Sequence, residues 1–210
     1  MDIYNERKSK PAKSQHSTLA ENGYEELEYI LQTGTDIQDG IVYICGEITE
    51  TTLFDVIVRV RAIQSFRDSD KYKGDPKSPI TFLINSPGGS MHEMLAIIDF
   101  MRGLDVPVNT ICRGTAFSAA AVILACGNGT RAMSKHSSVM FHQSLNYVEG
   151  KFNDVKASIA YTQIMESDVQ NILVEVTNQK DATWWRDKMK TDFFLSATEA
   201  LELGVIDVIL

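Results

Sequence analysis

Ile80-Thr81-Phe82-Leu83-Ile84-Asn85-Ser86-Pro87-Gly88-Gly89, followed by Ser90-Met91, carries the alternation on which the whole chain is built. The apolar run Ile80 to Ile84 reads as a strand, and Asn85 to Gly89 as a turn. Helical spacing then resumes at Met91, Met94, Leu95, Ile98 and Met101. The same unit recurs on both sides. Upstream, Ile41 to Cys45 is strand-like, and Thr51 is placed to cap a helix with Leu53, Val56, Val60 and Ile63 on one face. Between the two units, Arg67 to Pro79 mixes glycine, proline and charge and reads as a surface loop.

Downstream, Pro107 to Cys112 is a further strand, and Ser118 to Cys126 a helix of small apolar residues that must pack closely. Val139 to Phe141 is a short strand. Lys151 to about Thr177 is a long amphipathic helix carrying Val155, Ile159, Met165, Val169, Ile172 and Val176. Ser196 opens a last short helix with Glu199 in capping-box position; Gly204 ends it, and Val205 to Leu210 reads as a final strand. Strand followed by helix, repeated, implies an α/β domain with largely parallel strands. Residues 1–22 are polar and unpatterned and read as a flexible extension, leaving 23–210 as one folded domain without internal repeats.

Composition narrows the function. Twenty Lys and Arg against 28 Asp and Glu give a net charge of -8, which argues against a nucleic-acid footprint. No apolar stretch approaches the ~18 residues of a membrane span, and the N-terminus lacks the apolar centre of a secretory signal. Cys45, Cys112 and Cys126 are odd in number, form no Cys-x-x-Cys and sit in apolar runs. They read as buried reduced thiols in a reducing, cytoplasmic setting.

Four features carry chemistry, and each has an ordinary structural explanation. Gly88-Gly89 can bring backbone N–H groups close to a ligand, or simply turn a strand into a helix. No Gly-x-Gly-x-x-Gly or Gly-Lys-Ser/Thr accompanies it, so phosphate binding is disfavoured. Ser118, in Gly114-Thr115-Ala116-Phe117-Ser118-Ala119-Ala120-Ala121, stands where a helix exposes unpaired N–H groups; it can be a nucleophile beside an oxyanion site or a helix cap. The sequence around it is not the Gly-x-Ser-x-Gly elbow of the α/β-hydrolases. Of four histidines, His16, His92, His136 and His142, only His142 ends an apolar strand. Asp192 approaches a helix through otherwise apolar sequence and can orient a base or merely terminate a turn. No His/Asp/Glu set has metal-ligand spacing.

Taken in order, these segments resemble the proteolytic subunit of the Clp protease. Ile84-Asn85-Ser86-Pro87-Gly88-Gly89-Ser90 is similar to that family's glycine signature, and Thr110-Ile111-Cys112-x-Gly114-x-Ala116-x-Ser118 to its nucleophile segment. Met140-Phe141-His142-Gln143 resembles its histidine segment, and Asp192-x-Phe194-Leu195-Ser196-Ala197-x-x-Ala200 its aspartate segment. Gly204-Val205-Ile206-Asp207 is similar to the closing strand, so the likeness runs from about Ile41 to Leu210.

The resemblance implies a crotonase-like α/β fold with a projecting handle helix at Lys151 to Thr177. It implies a serine endopeptidase with Ser118, His142 and Asp192 as catalytic residues and the amides of Gly89 and Ala119 as the oxyanion hole. Asp187 is the next candidate for the acid. Substrate would lie as an added strand between Gly89–Met91 and Ser144–Tyr147, with Gly88, Ser90, Met91, Gln143, Ser144 and Leu145 around it. No metal or organic cofactor is required. Heptameric rings of identical chains, joined through handles around a closed chamber, would be fed unfolded polypeptide by an AAA+ unfoldase. The setting would be the cytoplasm, a plastid stroma or, for a viral chain, the host cytoplasm.

The likeness has departures. The family's pore-lining N-terminal segment is not recognisable in residues 1–30. Gln143-Ser144 stands where the family usually has Gln-Pro, and Lys190-Thr191 replaces an acid-arginine pair that couples ring stacking to the site. Arg67 to Pro79 is longer than usual. Two alternatives share parts of the pattern: a non-catalytic ring subunit of the same fold, and a crotonase-fold enzyme acting on an acyl-CoA thioester. The first would lack a member of the Ser/His/Asp set; the second has no need of one.

Overall fold

The computed structural model describes residues 25–145 and 147–210. The extension expected over residues 1–22 lies outside them. Residues 25–33 are helical (α1), and a two-residue strand β1 (Thr35–Asp36) follows. Then come β2 (Ile41–Ile48), α2 (Glu50–Arg67), β3 (Ile80–Gly89), α3 (Met91–Arg102), β4 (Val108–Phe117) and α4 (Ala119–Ala125). The chain continues through β5 (Arg131–Met133), β6 (Ser138–Phe141), α5 (Phe152–Val176), α6 (Ala182–Lys188), β7 (Phe193–Leu195), α7 (Ala197–Glu202) and β8 (Val208–Ile209).

The strands form one sheet in the order β1-β2-β3-β4-β5-β8, parallel from β2 through β8. Helices α2 and α4 pack on it, and α3 packs against both of them. Alternation drives this: in β3, Ile80, Phe82 and Ile84 are fully buried while the residues between them are only partly so. All seven residues of α4 are buried, and its alanines let the helix lie close against β3 and β4.

β4 makes the bend that creates the site. Its first half pairs with β5 (Thr110↔Arg131) and its second half with β6 (Thr115↔Ser138). The switch occurs at Arg113-Gly114, where the β3 register jumps from Ile84↔Cys112 to Ser86↔Ala116. Gly114 has φ +104°, and a Cβ there would fall 2.5 Å from Asn85 Oδ1, which accepts a hydrogen bond from Thr115 N at 3.1 Å.

Several expectations need correction. Asn85 to Gly89 is not a turn; β3 runs through it, paired with β2 at Glu47↔Gly88 and Ile48↔Gly89 beyond a bulge at Gly46. Pro87 is tolerated because the register skips it at that bulge, where no ladder donor is needed. The cap of α2 is Thr49, not Thr51: Thr49 Oγ1 accepts from Thr52 N at 3.4 Å, and Thr52 Oγ1 from Thr49 N at 3.1 Å. Arg67 belongs to α2 and is buried, donating to the carbonyls of Ser78 and Pro79. The final strand shortens to β8, since Val205 is buried and its amide goes back to Ala200 O. Cys45 is exposed, whereas Cys112 and Cys126 are buried. α5 projects as expected of a handle: none of its residues before Met165 is buried, and Phe152, Ile159 and Ile164 are exposed.

Candidate active site

The parallel pairing of β4 with β6 ends at Phe117↔Met140, one step before Ser118 and two before His142. The antiparallel pairing of β6 with β7 ends at Phe141↔Phe193, so the next residues out are His142 and Asp192. Three strand ends therefore deliver a hydroxyl, an imidazole and a carboxylate to one place.

Ser118 is the one non-glycine residue with positive φ among the described residues (φ 53°, ψ -122°). That conformation costs on the order of 1–3 kcal/mol and needs a reason. It places the residue at the N-cap of α4, yet its hydroxyl makes no capping bond. Instead Ser118 Oγ lies 2.8 Å from His142 Nε2. The backbone is held by Ser118 N donating to Met140 O at 2.7 Å. His142 Nδ1 faces Asp192 Oδ1 at 3.7 Å, outside hydrogen-bond range by several tenths of an ångström. Asp192 is more than half exposed, whereas Asp187 on α6 pairs with Lys190 at 2.8 Å.

The glycines serve the site by contact. A Cβ on Gly88 (φ +97°) would lie 2.7 Å from Ser118 Cβ and 3.1 Å from Ala119 N. Only glycine lets β3 pass this close behind the serine and the first amide of α4, which has no intrahelical acceptor. Gly89 is required for a different reason from the one its position suggests. A Cβ there would strike the backbone of Ile48 in β2.

Two depressions meet at Ser118. The first is a pocket with apolar walls of Met91, Met94, Val122, Phe141, Val169 and Met189, and with Ser144 and Glu166 as polar members. The second is an open groove that contains Gly89, Ser90, Met91, Ser144 and Leu145 and runs toward Tyr161 and Thr162 on α5. Neither buried thiol competes with Ser118 as a nucleophile. Burial pushes Cys112 up to about 11 and Cys126 to about 12, so both stay protonated at neutral pH.

A family model described as Clp protease matches residues 29–210. The chain belongs to the Clp protease family. Among curated relatives, it is 37% identical over 172 residues to ATP-dependent Clp protease proteolytic subunit 2 of Chlamydia pneumoniae, covering 81% of this chain and 80% of that one. It is 34% identical over 179 residues to proteolytic subunit 1 of Shouchella clausii, covering 83% and 86%. It is 29% identical over 175 residues to proteolytic subunit 1 of Prochlorococcus marinus strain MIT 9312, covering 83% and 85%.

Within this Clp protease fold, the residues singled out in the sequence fall into two groups. Ser118, His142, Gly89, Ala119, Ser90, Met91, Ser144 and Leu145 line the two depressions, whereas Asp192 lines neither and meets the site only through His142, 3.7 Å from its Nδ1. Gly88 packs behind Ser118, and Gln143 turns away: its backbone amide donates to Met189 O at 2.8 Å, and it lines a neighbouring cavity with Arg186 and Lys190 that shares Glu166 and Met189 with the apolar pocket. Nothing in the residue pattern marks Met94, Val122, Val169 and Met189 as pocket walls. Each reads as an ordinary core residue, and only the meeting of α3, α4, α5 and the end of α6 brings them together beside Ser118. Among the described residues, no helix is long and apolar enough to cross a membrane.

Proposed function

We propose that this chain is a serine endopeptidase that cleaves unfolded polypeptide inside an oligomeric ring chamber. The observation that carries the reading is the 2.8 Å contact between Ser118 Oγ and His142 Nε2, made by a serine whose strained backbone withholds its hydroxyl from capping. With the proton of His142 on Nδ1, Nε2 is free to accept the Ser118 proton as Oγ attacks the scissile carbonyl. The carbonyl oxygen becomes an oxyanion held by the amides of Gly89 and Ala119, each such donor contributing about 3 kcal/mol to barrier lowering. The imidazolium then gives its proton to the departing amine, and water repeats the sequence on the acyl-enzyme. Asp192 orients and stabilises the imidazolium after closing the 3.7 Å gap, as catalytic contacts commonly tighten when substrate binds.

Substrate lies as an added strand in the groove between Gly89–Met91 and Ser144–Tyr147, with Ser90 and Leu145 along its edges. The exposed apolar residues on α5 favour handle-to-handle assembly of heptameric rings of identical chains. The relatives' names include "ATP-dependent", and this chain carries no nucleotide-binding motif. An AAA+ unfoldase in the same cytoplasmic compartment would supply that dependence. Residues 23–210 act as one peptidase domain.

The long His142–Asp192 distance favours a second reading, a ring subunit that assembles without cleaving. Hydrolysis of short fluorogenic peptides by the assembled protein without ATP separates the two. The peptidase reading expects turnover that Ser118→Ala removes. A well-formed ring with no turnover of any peptide would leave the structural subunit.

A further inference from the structure

One charged group stands in the wall of the apolar pocket beside Ser118, and the chemistry proposed above gives it no task. Glu166, on α5, is half-buried and lines the pocket with Met91, Met94, Val122 and Met189. Its Oε1 accepts two hydrogen bonds from one residue, Ser144 N at 2.9 Å and Ser144 Oγ at 2.6 Å. Its Oε2 has no hydrogen bond or ion pair among the described residues. A carboxylate offers about four lone-pair sites, so part of its accepting capacity stays open. No ion pair to Glu166 forms among the described residues: it also borders the neighbouring cavity with Arg186 and Lys190, but those two cations pair with Asp187 at 3.9 Å and 2.8 Å.

We propose that Glu166 makes this pocket selective for a lysine or arginine on the acyl side of the scissile bond. The proposal rests on the peptidase reading. A lysine stem is apolar for four carbons and suits walls of methionine and valine, while its ammonium reaches the open oxygen. In a pocket without a charge, the same ammonium would lose its hydration and gain nothing. The two hydrogen bonds from Ser144 pin the carboxylate, so little ordering cost remains when a cation arrives. The overall charge of -8 acts in the same direction on a cationic chain.

The test uses the full-length assembled protein and two fluorogenic peptides that differ only in carrying lysine or norleucine, the same stem without the amine, at that position. Wild type should have the higher kcat/KM for lysine, by roughly tenfold. Glu166→Gln keeps an acceptor for Ser144 but removes the charge, and should lower the lysine-to-norleucine ratio by a similar factor. Norleucine ahead in wild type, or a ratio that Glu166→Gln leaves within about twofold, overturns the proposal while leaving the peptidase reading intact. If the variant does not assemble, the wild-type ratio decides alone. Hydrolysis of neither peptide, with Ser118 unreactive, sinks the peptidase reading and this proposal with it.

Discussion

Ser118 pays for its position with backbone strain, and the return is a hydroxyl aimed at an imidazole rather than at its own helix. Asp192 is the weakest member of the set by distance, so its contribution is worth measuring directly. Asp192→Ala should reduce kcat by several orders of magnitude with little change in KM, because it acts on the imidazolium formed in the transition state. Unchanged steady-state turnover would assign the role elsewhere. The cysteines give an independent check on packing. Iodoacetamide at pH 8 should modify Cys45, which is exposed, and spare Cys112 and Cys126, whose thiolates burial suppresses. Peptide mass mapping reads the pattern, and early modification of either buried thiol would contradict the core described here. At this scale the sequence was informative wherever a residue type is demanded by contact. Gly88 and Gly114 stood out as glycines, but what each avoids, Ser118 in one case and Asn85 in the other, is a long-range approach that no local pattern contains.

Among the elements, the long ones and the short α4, β6 and α7 were legible, whereas β1, β5, β7 and α6 were not. α2, α3 and α5 announce themselves by periodicity, whereas β5, β7 and α6 are three to seven residues long and exist because neighbours offer them partners. The end of β3 was misread as a turn since Ser-Pro-Gly-Gly has turn chemistry; a bulge in β2 and the close approach of β4 make it a strand instead. β7 matters most, since its pairing with β6 brings Asp192 toward His142. Arg131 ties the far end of the sheet together, donating to Ala125 O, Val176 O and Gly204 O and pairing with Asp207. Hydrogen bonds from Arg131 hold the Asp207 carboxyl below its ordinary value. A depressed acid stabilises the fold above its unfolded pKa of about 3.9, and that contribution is lost as pH falls through the folded value. Thermal midpoints should therefore decline below about pH 4 more steeply in wild type than in Asp207→Asn. Parallel curves for the two proteins would remove this pair from the acid response.

For the whole molecule, the chain leaves its apolar surface where an assembly would use it. Phe152, Ile159, Tyr161 and Ile164 are all exposed on the projecting half of α5. Replacing Ile159 and Ile164 with aspartate should reduce the native particle mass, seen by native mass spectrometry, without unfolding the domain, because neither side chain is buried. An unchanged mass would mean that α5 is not the joint. The α/β class and the strand–helix order were readable from periodicity alone. How His142 reaches Ser118 was not, since it depends on β4 changing partners halfway along its length.

The central claim is that Ser118 is a nucleophile activated by His142, and covalent capture tests it most directly. The assembled protein is treated with a fluorophosphonate probe, and the adduct is located by tandem mass spectrometry in wild type, Ser118→Ala and His142→Ala. A single adduct on Ser118, absent from Ser118→Ala and strongly slowed in His142→Ala, is the predicted result. An adduct on another residue, or none in an intact assembly, would contradict it.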